Sequence, residues 1–247
     1  MTPTVARGTL YLLPTGLGDA PLEPVLPQGS REIAHRLNHF IAENPKSARA
    51  FLIQIDYPRP LSTVSIAVLD KDTAATAIPA LLAPLQQGLD IALVSEAGCP
   101  AVADPGALLV RAAHQAGIKV VPLVGPSAIL LALMASGLNG QRFAFHGYLP
   151  IESAARARQL HELEQRSRRD DATQIFIETP YRNNAMLQAL LAACSPQTLL
   201  CVAADITQPT EQIITRSIAD WRRNTPALHK RPAVFLLYCA KPAARTT

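Results

Sequence analysis

The chain has 247 residues, 49% hydrophobic and only 17% charged, which excludes a disordered chain and supplies core material for one large or two modest domains. Its 23 Lys and Arg against 19 Asp and Glu give a net charge of +4, which permits a polyanionic partner without demanding one. No apolar run approaches the ~18 residues of a membrane span, and Cys99, Cys194, Cys201 and Cys239 are too scattered for a zinc site or a disulfide framework. A reducing cytoplasm is therefore expected, with no metal and no membrane partner. The stretch MTPTVARGTLYLL (1–13) lacks a small-residue cleavage site and is not expected to be a secretory leader.

In chain order, TLYLL (9–13) reads as a buried strand that opens into the Gly/Pro loop PTGLGDAP (14–21). SREIAHRL (30–37) has helical spacing behind a Ser cap, HFIAE (39–43) reads as a strand, and NPKSARAFLIQI (44–55) begins with an Asn-Pro turn and continues as a helix. A strand SIAVL (65–69) precedes a helix over 72–88 interrupted by Pro79 and Pro84. DIALV (90–94) and IKVVPLV (118–124) are strands. Each is followed by a helix with Pro at its start and Gly at its end, over 105–117 and 126–137. This alternation predicts parallel βα units. A second set follows: a strand and connector at 142–150, a basic helix at 155–169, strands at 173–178, 198–205 and 232–238, a helix at 182–194, and EQIITRS (211–217) leading to Trp221. The division is expected within 125–145, giving domains of 1–138 and 139–247.

Ligands of open α/β sheets bind beyond the carboxyl ends of the strands, so the loops there are informative. In PTGLGDA (14–20), Gly16 and Gly18 allow close backbone approach, although an ordinary strand–helix turn reads the same way. SEAGCPAVADPG (95–106) is long for a βα connector, which favours a binding role. Within it Cys99 reads as a packed small residue rather than a nucleophile, and Asp104-Pro105-Gly106 is also compatible with a simple helix start. VGPSA (124–128) offers free N–H groups and a hydroxyl at a helix N-terminus, where a plain cap is the alternative. In IETPYRN (177–183), Arg182 is suited to a phosphate or carboxylate, or simply begins a helix. The helix at 155–169 carries Arg156, Arg158, Arg166, Arg168 and Arg169 against Glu162 and Glu164, a solvated face or a phosphate-backbone contact.

Together these loops have a recognisable order. Through GTLYLLPTGLGD (8–19), the long stretch from IALVSEAGCPAVADPG to ASGL (91–138), RFAFHGYLP (142–150) and FIETPYR (176–182), the chain resembles the tetrapyrrole methylase superfamily of S-adenosylmethionine-dependent methyltransferases. ADITQPTEQI (204–213) and the closing strand add weaker support. Within that superfamily it resembles the branch of ribosomal RNA small subunit methyltransferase I, which methylates a ribose 2′-hydroxyl. The resemblance implies an α/β fold of two domains, the N-terminal one with a largely parallel sheet and the C-terminal one with a mixed sheet. It also implies a methyl donor, S-adenosylmethionine, in the cleft between them, and a homodimer. The donor contacts it implies are Leu17, then Ala97, Gly98, Cys99 and Val102, then Ser127 and Ala128, and from the second domain Glu178, Ile206 and Ala233. The chain departs from the branch at Ala42-Glu43-Asn44-Pro45-Lys46, where the branch has an acidic-Asp-Thr-Arg stretch. It departs again at Val68-Leu69-Asp70-Lys71-Asp72, where the branch is His-rich, and at Phe145-His146-Gly147, where the branch has Tyr-Glu-Gly.

Methyl transfer from a sulfonium is an in-line displacement on an already strong electrophile, so alignment and desolvation are the protein's main tasks, with up to roughly 7–11 kcal/mol available from orientation. A hydroxyl acceptor must also lose its proton. Asp104 is the first candidate site carboxylate, with a positioning role as the alternative, and Glu43, Asp72 and His146 are further candidate bases. The expected function is methylation of ribosomal RNA, with the RNA or the small ribosomal subunit as partner. Alternatives are methylation of a tetrapyrrole or other small molecule, or a non-catalytic RNA-binding relative.

Overall fold

A computed structural model describes residues 6–240, so the first five residues of the stretch read for a leader lie outside it. The chain divides into two compact units, 1–127 and 128–247.

In the first unit, β1 (Thr9–Leu13), β2 (His39–Ala42), β3 (Ser65–Val68), β4 (Ile91–Val94) and β5 (Lys119–Pro122) form one sheet in the order β3-β2-β4-β1-β5. Every pairing is parallel. The central strand β4 is buried at all four positions, as expected where both faces are covered. Its side chains alternate between two cores. Ala92 and Val94 join Phe40, Phe51 and Leu52 on the face covered by α1 (Gln28–Arg36) and α2 (Pro45–Gln54). Ile91 and Leu93 join Leu82, Leu85 and Leu109 on the face covered by α3 (Ile78–Gln86) and α4 (Gly106–Gln115). The expected Asn-Pro start of α2 is present: Asn44 caps it, accepting from the Lys46 N–H at 2.9 Å. The helix expected over 72–88 begins only at Ile78, after a short 3-10 turn at Ala75–Ala77. Pro79 suits the first turn, where no N–H is needed, while Pro84 lies inside the helix.

The second unit holds α5 (Ala128–Ser136), β6 (Phe143–Tyr148), α6 (Ser153–Asp170), β7 (Thr173–Ile177), α7 (Asn183–Ala193), β8 (Leu199–Ala204), β9 (Gln212–Ser217), α8 (Ile218–Trp221) and β10 (Ala233–Tyr238). Its sheet runs β6-β7-β10-β8-β9, with only β6 and β7 parallel. An all-parallel first sheet and a mixed second sheet match the expected fold class. The second core centres on Trp221 and on Phe176 stacked against Phe235 at 5.8 Å. The Trp221 indole donates to the Leu200 carbonyl at 2.8 Å. The expected domain ranges, 1–138 and 139–247, differ from the observed division by α5. That helix is apolar and packs on β9 and β10, and the Ser136 carbonyl accepts from the Thr215 hydroxyl at 2.6 Å.

Among the described residues no helix is long and apolar enough to cross a membrane, and no group of three or more His, Cys, Asp or Glu is placed to hold a metal. The four cysteines are free.

Candidate active site

Three of the loops singled out above meet at the carboxyl ends of β1, β4 and β5. Main-chain bonds lace the first two: Thr15 N–H donates to the Gly98 carbonyl at 3.0 Å, and Gly98 N–H to the Gly16 carbonyl at 3.3 Å. Side chains reinforce them. The Ser95 hydroxyl donates to the Gly98 carbonyl at 2.9 Å, and the Thr15 hydroxyl to the Ser95 carbonyl at 3.2 Å. Gly98 has φ +72°, and a Cβ there would lie 3.1 Å from Leu17 Cδ2 and 3.4 Å from the Pro126 carbonyl oxygen. The three loops therefore converge on one residue whose left-handed backbone strains any side chain, and whose Cβ would crowd Leu17. Cys99 donates its thiol to the same Pro126 carbonyl at 3.4 Å, and burial pushes its pKa up, which suits a packed thiol rather than a nucleophile.

The 95–106 loop is held in an unusual shape. Ala101 and Ala103 both have positive φ, 65° and 60°, with the exposed Val102 between them. Strain of this kind, about 1–3 kcal/mol per residue, persists only where surroundings enforce it. Here the enforcing group is Asp104, whose Oδ1 accepts from the Ala101 and Gly106 N–H groups, both at 2.8 Å. Burial raises the Asp104 carboxyl above its ordinary value despite these bonds. Glu43, just beyond β2, is also raised, first by burial and then by repulsion from Asp104, Glu96 and Asp70. Among the described residues its carboxylate accepts no hydrogen bond. Of the other candidate bases, Asp72 lends its N–H to Asp70 in an exposed turn, and His146 on β6 places its ring nitrogen 2.8 Å from Gln174 Oε1 on β7.

In the second unit, the register Ala233↔Ala204 and Val234↔Ile177 puts the end of β7, the end of β8 and the start of β10 at one sheet edge. Glu178, Ile206 and Ala233 all belong to that edge. The Glu178 carboxylate is fully buried. Its Oε1 accepts from the Thr179 N–H at 2.6 Å and from Arg182 Nη2 and Nε at 2.6 and 3.0 Å, while its Oε2 is buried without a partner. Arg182 is thus committed to Glu178 rather than free for a phosphate. A second pair, Asp205 Oδ2 and Arg231 Nε at 2.7 Å, braces the same edge.

The chain matches the family model of the Tetrapyrrole (Corrin/Porphyrin) Methylases over residues 9–221. It belongs to the tetrapyrrole methylases. It is 35% identical over 212 residues to the ribosomal RNA small subunit methyltransferase I of Xylella fastidiosa, covering 86% of this chain and 73% of the relative. With the enzyme of the same name from Vibrio cholerae it shares 35% over 219 residues, covering 88% of this chain and 72% of the relative. The crystal structure of the methyltransferase CobJ superposes with a TM-score of 0.62 at 20% identity, over 98% of this chain and 97% of that one, a likeness of fold. Like the rest of the family, the chain is a methyltransferase.

This tetrapyrrole methylase brings Leu17, Gly98 and Cys99 together through the Pro126 turn, and Ala97, Val102 and Asp104 lie on the same braced loop. Ser127 follows that turn and Ala128 opens α5. Thr15 and Ser95 carry only a faint local signal, a polar residue within two positions of a buried strand end, and the Asp205–Arg231 pair carries none. Part of the basic face of α6 is used internally: Arg168 donates to the Cys239 sulfur at 3.2 and 3.3 Å, and Arg169 pairs with Asp170. A separate cavity of about 360 Å³, lined by Tyr11, Arg36, His39 and Asp90 among others, lies at the opposite, amino-terminal edge of the first sheet.

Proposed function

We propose that this tetrapyrrole methylase transfers the methyl group of S-adenosylmethionine to ribosomal RNA, at a ribose 2′-hydroxyl, acting on the small ribosomal subunit as a cytoplasmic homodimer. The observation that carries the reading is the convergence of three loops on Gly98, together with curated relatives named ribosomal RNA small subunit methyltransferase I. The proposed donor contacts are Leu17, Ala97, Gly98, Cys99, Val102, Ser127 and Ala128, with Glu178, Ile206 and Ala233 from the second sheet edge.

These residues fit such a donor. The backbone of a Gly/Ala loop can approach a ligand closely, and the unpartnered Glu178 Oε2 is a buried acceptor that suits an N–H donor. When bound, the donor supplies a methyl group already activated by a positive sulfur. The chain's own task is then to align and desolvate the acceptor. Asp104 is the proposed site carboxylate, and it acts by bracing the loop that holds Ala101 and Ala103 in left-handed conformations. Glu43, raised in pKa and without a hydrogen-bond donor, would be the residue that accepts the proton of the acceptor hydroxyl.

The test is methyl-labelled S-adenosylmethionine with small ribosomal subunits from a strain lacking the protein. Label recovered as a 2′-O-methyl nucleoside is the expected result. Label absent from RNA but present in small molecules of a lysate would replace the acceptor with a small molecule, a reading favoured by the chain's departure from the branch at Asn44-Pro45-Lys46.

A further inference from the structure

The edge of the second sheet that carries Glu178 also carries aromatic rings that the core does not use. Tyr148 ends β6, pairs in register with Ile177 and is 56% exposed; Tyr181, three residues beyond Glu178, is 71% exposed. Tyr181 meets the exposed His229 edge to face, with ring centroids 6.2 Å apart at 72°. Two turns hold this pair. Lys230 N–H donates to the Pro180 carbonyl at 3.1 Å, and Arg182 N–H to the Thr179 carbonyl at 2.9 Å. Behind them Asn183 Nδ2 donates to the Arg231 carbonyl at 2.6 Å, and Asn184 Oδ1 accepts from Leu228 N–H at 2.8 Å. The backbone that carries Tyr181 and His229 is therefore fixed by a network that does not depend on burying their rings.

The segment RRNTPALHKR (222–231) holds four Lys and Arg and no acid. Arg222 is spent on the Leu191 and Cys194 carbonyls, Arg231 on Asp205, and Arg223 on Asp220. Lys230 is exposed and makes no ion pair among the described residues, and its backbone sits at φ +62°, in the turn bonded to Pro180. An exposed ring on a tied turn, beside an uncommitted cation, is a combination that recognises unpaired nucleic acid: the ring stacks a base splayed out of its helix and the cation meets the phosphate. A duplex, whose bases are already stacked, offers no such face.

We propose that Tyr181, His229 and Lys230 form a landing site for an unpaired stretch of RNA, Tyr181 stacking a base and Lys230 contacting the backbone. The inference rests on the RNA reading above and deepens it, since the landing site shares a sheet edge with Glu178.

The test is fluorescence anisotropy of a labelled single-stranded oligouridylate and of an RNA duplex of equal length, with calorimetry of S-adenosylmethionine on the same full-length proteins. Tyr181→Ala is expected to weaken single-strand binding about tenfold or more, with donor affinity unchanged and circular dichroism confirming the fold. Tyr181→Phe keeps the ring and stays within about twofold. Lys230→Gln lowers the slope of log affinity against log salt by about 0.7. Equal binding by Tyr181→Ala and the original chain, or equal affinity for duplex and single strand, would overturn the landing site. If the unaltered chain binds the donor but no RNA, the RNA reading fails and the landing site with it. If RNA discriminates among the variants but no donor heat appears, the donor reading fails alone.

Discussion

The two groups of candidate site residues are positioned by different physics. In the first unit the loops are fixed by main-chain bonds and by the absence of side chains at Gly98, with one carboxylate, Asp104, bracing the strained alanines. At the edge of the second sheet, position comes from ion pairs in which a buried carboxylate meets a partly exposed arginine, Glu178–Arg182 and Asp205–Arg231. The glycine contact should fail when atoms are added, and the Asp104 brace and the ion pairs when atoms are removed.

The largest effect is expected at Gly98. Gly98→Val puts a branched side chain at φ +72° against Leu17 and Pro126, and should lower S-adenosylmethionine affinity about a hundredfold or more by calorimetry, through strain and displacement of the loop. An unchanged affinity would remove these loops from the donor site. Next is Arg182→Ala, which strips two of the three donors from a fully buried carboxylate. Urea unfolding should show a loss of about 2–4 kcal/mol, with Arg182→Lys recovering part of it. If the alanine variant is as stable as the original, the second edge is not braced electrostatically. Asp104→Ala orphans the N–H groups of Ala101 and Gly106 and should cost about 1–2 kcal/mol, while Asp104→Asn keeps an acceptor and loses less. A larger loss for asparagine than for alanine would contradict the bracing role.

The smallest effect is a pH dependence at Glu43. Its folded pKa lies above its ordinary value of 4.5, so the folded protein binds the proton more tightly than the unfolded chain. The stability linked to that proton is present at acid pH and is lost as pH rises through the folded value. Glu43→Gln should therefore melt slightly higher than the original chain at pH 7.5, with the difference shrinking toward pH 4. A difference that grows on acidification would show that Glu43 is favourably paired instead.

The comparison also shows what local sequence can and cannot carry. β4 was legible because a strand covered on both faces must be apolar at every position, and α4 because Pro105 and Gly117 punctuate it. The start of α3 was not, because Ala-rich segments read as helix while here residues 75–77 form only a 3-10 turn. The placement of α5 in the second unit was not legible either. Its apolar composition says that it packs, but not on which sheet. Arg182 read as a free anion ligand because no local signal reveals that Glu178, four residues earlier, is buried.

Side-chain periodicity and backbone restriction act over neighbouring residues, so the amino-acid order alone carries the alternation of strands and helices, the two α/β domains and the Gly/Pro loops. That Gly98 closes against both Leu17 and Pro126, and that Tyr181 meets His229 beside a tied pair of turns, appears only in the folded chain. Those contacts depend on strand order and register, which long-range packing sets and no local window contains.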